Sequence, residues 1–88
     1  MLTLEVFLAD HCLSTATAKS LAEKAISHVG RMDLIFRHES EDAAQAKAMG
    51  LILFPAFVIG TEVLTVGLPS LADLVKILEA KIIETSGA

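Results

Sequence analysis

The chain has 88 residues, 53% of them apolar and 20% charged, and a formal net charge of −4. That length suits one domain, residues 1–88, which buries only about 60–65% of its unfolded surface, so the core has to be dense. Seven scattered lysines and arginines among eleven carboxylates give no basic stripe for a phosphate backbone, and one cysteine excludes both an internal disulfide and a Cys-rich zinc cage.

Leu2, Leu4, Val6 and Leu8 alternate with Thr3, Glu5 and Phe7. This period of two predicts a strand over 2–8, and Phe7 predicts partial cover on its second face. The opening residues lack a basic leader region and include Glu5, so a soluble cytoplasmic protein is expected, with no membrane segment and no nucleic-acid partner.

From Ser14 to Val29 the apolar positions Leu21, Ala22, Ala25, Ile26 and Val29 fall on one helical face, and Gly30 suits the stop. Cys12 directly precedes this helix. There a thiol faces unpaired backbone N–H groups and the positive end of the helix dipole, which favour thiolate. Thr15, three positions on, is one turn away and offers a hydroxyl to the sulfur. Imidazolium at His11 would act in the same direction.

Met32 to Arg37 reads as a second strand. Ser40 offers a helix cap, Glu41 and Asp42 suit the first turn, and Gly50 closes a helix over 41–49. The longest apolar run, 51–59, is far below the ~20 residues of a membrane helix. AFVIG and EVLTVG read as two strands joined by Gly60-Thr61, a Gly-first pair suited to a two-residue type II′ hairpin. Ser70 caps a last helix with a stripe at Leu71, Leu74, Val75, Leu78 and Ile82, ending near Glu84 with 85–88 as a frayed tail. The order β-α-β-α-β-β-α predicts an α/β protein with a mixed four-stranded sheet. Strands one and two lie parallel through a right-handed crossover, and helices cover both faces.

Phe7-Leu8-Ala9-Asp10-His11-Cys12-Leu13-Ser14-Thr15, Pro55 and Gly67 together resemble the thioredoxin-like superfamily over nearly the whole chain. The pattern there is F-x-A-x-x-C-x-x-C, a cis-proline opening the third strand and a glycine closing the fourth. The resemblance implies a cis Phe54–Pro55 peptide and a groove formed by Leu13, Phe54, Pro55 and Gly67 that receives a protein disulfide, a glutathione adduct or a peptide segment. Glutathione enters only as a co-substrate, and no metal is expected.

Two departures limit the analogy. Thr15 replaces the second cysteine, which removes the resolving thiol of dithiol chemistry, and Val6 stands where many thioredoxins carry a buried acid. Two functions stay open. One is monothiol transfer through Cys12 with an external resolving thiol. The other is a non-catalytic interaction module using the apolar groove around Leu13, Phe54 and Leu68. His28, His38, Glu39, Glu41 and Asp42 read as solvated or helix-start groups, and Met32 and Met49 as core filler.

Overall fold

The computed structural model of the chain describes residues 2–9, 15–38, 43–51 and 54–86. The elements are β1 (Leu2–Leu8), α1 (Thr15–Val29), β2 (Met32–His38), α2 (Ala43–Ala48), β3 (Ala56–Ile59), β4 (Glu62–Val66) and α3 (Leu71–Ser86). Their order matches the expected one, and the sheet runs β2-β1-β3-β4. β1 pairs parallel with β2, from Leu2↔Met32 to Leu8↔His38, and antiparallel with β3, from Leu4↔Ile59 to Phe7↔Ala56.

The period of two in β1 sends alternate side chains into two separate cores. Leu4, Val6 and Leu8 join Ala18, Ala22 and Ala25 of α1 and Leu74 and Leu78 of α3 in the larger cluster. The three buried alanines at i, i+4 and i+7 let α1 lie close to the sheet. Phe7 points the other way and packs with Ala46, Leu51, Ala56 and Val58. Helices therefore cover both faces, α1 and α3 on one and α2 on the other, with α2 only six residues long.

The expected cap at Ser40 lies outside the described residues. At the far end of α2, Gly50 N–H donates to the Lys47 carbonyl (3.0 Å) and Leu51 N–H to the Ala46 carbonyl (2.9 Å), a Schellman closure with Gly50 at φ +72°. This closure ends the helix at Ala48, before Met49, and turns Leu51 inward to the second core.

The hairpin forms as its glycine suggested, with Ile59 opposite Glu62 across Gly60 and Thr61. A bulge between the Phe57 and Val58 positions gives β4 one extra residue, and Leu64 packs on the larger core. Ser70 Oγ accepts the Asp73 N–H (3.1 Å), so the predicted cap of α3 is made. α3 then runs through Ser86 rather than stopping near Glu84, because no glycine or proline interrupts the ladder before Gly87.

Candidate functional site

The sheet register brings four chain segments to one end of the molecule. β1 ends there at Leu8, α1 begins there at Thr15, β3 starts there after Pro55, and β4 leaves there at Gly67. The last laddered pair of β1 and β3 is Phe7↔Ala56, so Ala9 and Phe54 both fall just beyond the ladder.

His11, Cys12 and Leu13 lie outside the described residues, as does the rest of 10–14. Their two anchors are described. Thr15 Oγ1 donates to the Ala9 carbonyl at 3.0 Å, which ties the first residue of α1 back to the end of β1. Thr15 had been expected to donate toward the Cys12 sulfur. That contact involves Cys12, which lies outside the described residues; the acceptor described is Ala9, whose carbonyl sits past the end of both ladders and needs a partner. The spacing of Ala9 and Thr15 alone does not reveal this bond, since it depends on α1 folding back over the sheet.

The Phe54–Pro55 peptide bond is cis, and Pro55 is buried. Gly67 N–H donates to the Pro55 carbonyl at 2.7 Å, so the two residues are joined directly. Gly67 has φ +82°, and a Cβ built there would meet nothing within 4 Å. Backbone conformation rather than crowding requires glycine at this turn. Phe54 is half-buried against the Phe7 cluster, which limits what it offers to a groove. Among the described residues, the large exposed apolar side chains here are Val66 (45%) and Leu68 (46%), on either side of Gly67.

α1 carries no carboxylate in its first turn, unlike α3, which has Asp73 there. The positive end of a 15-residue helix therefore meets no acid from its own first turn. Among the described residues, no group of three or more His, Cys, Asp or Glu side chains can hold a metal ion, and no helix is long and apolar enough to cross a membrane.

No protein-family model and no curated protein sequence matches this chain. Solved structures do match it in shape. A malarial protein superposes with a TM-score of 0.77 at 15% identity, covering 91% of this chain and 96% of that one. Thioredoxin-2, a component of the malaria parasite protein secretion machinery, superposes with a TM-score of 0.78, also at 15% identity, covering 91% of this chain and 82% of its own. The fold is thioredoxin-like. An identity of 15% carries the thioredoxin-like architecture across and none of the chemistry. The site at this end of the sheet has to be judged on its own residues.

Proposed function

We propose that this is a single-cysteine thiol-transfer protein on a thioredoxin-like fold. The Cys12 thiolate attacks one sulfur of a protein disulfide or glutathione adduct, forming a mixed disulfide and releasing the other sulfur as thiolate. A thiolate from solution, glutathione being the expected one, then attacks the substrate-side sulfur of that mixed disulfide and frees Cys12. The protein ends as it began, and the electrons come from the external thiol.

The observation that carries this reading is the convergence of the α1 start, cis-Pro55 and Gly67 at one end of the sheet. The connection holding Cys12 is only five residues long, between Ala9 and Thr15, and its ends are hydrogen-bonded to each other. The first turn of α1, which carries no acid of its own, supports a stabilised thiolate. In this reading Thr15 positions the helix start, His11 adds positive charge, and Leu13, Phe54, Pro55 and Gly67 border the partner's path. A lone thiol of this kind suits a reducing compartment such as the cytoplasm.

The test is the pH dependence of Cys12 alkylation by iodoacetamide on freshly reduced protein, with Cys12→Ser as the blank. A midpoint clearly below the ~8.5 of free cysteine is expected. A midpoint at or above that value, or no reaction in the folded state, overturns thiol transfer.

The exposed Val66 and Leu68 favour a second reading, a partner-binding module in which Cys12 has no chemical task. Partner binding that survives Cys12→Ser, together with an ordinary thiol midpoint, would select it.

A further inference from the structure

The outer seam between α1 and α3 is a trough that the thiol chemistry does not use. Three hollows lie along it, of about 420, 540 and 190 Å³. The first two share Leu71 and the last two share Glu79, so they form one continuous depression. Leu71 to Ile83 spans twelve helical rises, about 18 Å.

Two helical stripes face each other across it. On α1 they are Thr17, Leu21, Lys24 and His28, at i, i+4, i+7 and i+11. On α3 they are Leu71, Val75, Glu79 and Ile82, at i, i+4, i+8 and i+11. Leu21, Leu71, Val75 and Ile82 are half-buried and pack against the larger core, so they make an apolar floor. Ile83 stands 70% exposed at one end.

The rim has the opposite charge to the rest of the protein. Lys24, Arg31 and Lys76 line the trough, and Glu79 is the only acid among the described residues that line it, although the chain as a whole has seven cationic residues against eleven acidic ones. Among the described residues none of those three cations is ion-paired. A cationic rim around an apolar floor, on an acidic protein, is complementary to an amphipathic acidic segment.

We infer that the α1/α3 trough docks an acidic amphipathic helix of a partner protein, about three turns long. A second copy of this chain is disfavoured, because a two-fold contact lays this surface on itself and so brings cationic rim to cationic rim. A small amphiphile is disfavoured because the trough is open along its length, whereas small-ligand pockets enclose most of the ligand. The inference does not depend on Cys12.

The test uses a fluorescein-labelled synthetic peptide of roughly 14 residues, four helical turns, with leucines at i, i+3, i+4 and i+7 spacing and glutamates elsewhere. It is titrated into reduced wild-type protein and into Cys12→Ser. Saturable binding is expected in both, with amide shifts concentrated in 17–28 and 71–83. Charge reversal by Lys24→Glu with Lys76→Glu, or replacement of the peptide's glutamates by lysine, should weaken binding at least about tenfold. All three side chains proposed for change, including Ala72 in Ala72→Trp, are exposed, so the variants should keep the wild-type circular dichroism and melting curve. Ala72→Trp, which fills the middle hollow, should weaken binding as well.

No saturable binding overturns the inference, as do shifts elsewhere or a lysine peptide that binds equally well. Sedimentation showing a dimer that Lys24→Glu with Lys76→Glu dissociates would instead assign the trough to a second copy. Decanoate shifting the same amides while the peptide does not would assign it to a small amphiphile. Loss of thiol reactivity in the separate alkylation experiment would leave this result untouched.

Discussion

Thr15 shows how one hydroxyl is assigned by the residues around it. It donates to Ala9, so it acts on the site through the position of α1. Thr15→Val keeps the shape and removes the donor. It is expected to cost about 1 kcal/mol, read as a fall in melting temperature of roughly 4–8 °C, with Thr15→Ser close to wild type. The alkylation midpoint of Cys12 is expected to move little in Thr15→Val, and a clear upward shift would show that the hydroxyl also serves the sulfur. Gly67 makes a complementary case. Its φ of +82° strains any L side chain, and open space surrounds the missing Cβ. Gly67→Ala is therefore expected to destabilise by about 1–2 kcal/mol in urea with an unchanged denaturant slope. A change in slope would point to a wider rearrangement.

Among the elements, β4 and α3 are linked by a surface ion pair. Lys81 donates to Glu62 and also meets Glu84, and the Glu62 hydrogen bond, aided by both carboxylate charges, raises the Lys81 pKa against partial desolvation. A raised amine pKa stabilises the fold below the unfolded value of ~10.4, and that contribution is lost as the pH climbs through the folded one. Glu62→Gln should lower the Lys81 titration in an NMR pH series while the other lysines stay in place. An unmoved Lys81 would show that the pair does not persist in solution. The elements were largely legible from the chain. The alternation in 2–8, the Gly60-Thr61 turn, the Ser70 cap and the Leu74/Leu78 stripe each report on local geometry, and the structure has them all. The Glu5–Arg37 ion pair (2.8 Å) was not legible, because it follows from the β1–β2 register, which sets Glu5 opposite Ile35, next but one to Arg37. The trough was hidden for a similar reason, as its two walls lie some fifty residues apart in the chain. At the candidate site, spacing located Cys12 before a helix but could not show where Thr15 sends its proton.

Over the whole molecule, stability is divided unequally between the two sheet faces. Among the described residues, the α1/α3 side holds ten buried residues in its cluster and the α2 side five. Leu78 is fully buried on the larger side, so Leu78→Ala is expected to cost about 3 kcal/mol or more, a large share of the 5–15 kcal/mol typical of a domain. Leu51 on the smaller side is 9% exposed and flanks a six-residue helix. Leu51→Ala should cost less, since the short helix can settle into the gap. Urea midpoints of the two variants check this, and a loss in Leu51→Ala as large as that in Leu78→Ala would show that the short helix does not settle into the gap.

β1 is an inner strand, held by β2 on one side and β3 on the other. Its first partner begins at Met32, but its second begins only at Ala56. At synthesis rates of about 5–20 residues per second, the β1–α1–β2 unit waits on the order of one to several seconds for β3 to emerge. Throughout that interval one backbone edge of β1 is open, and the apolar side chains that α3 will cover are bare. The nascent chain is then at its most prone to wrong pairing, and a slow codon stretch between β2 and β3 would lengthen the exposure without altering a single residue of the finished protein.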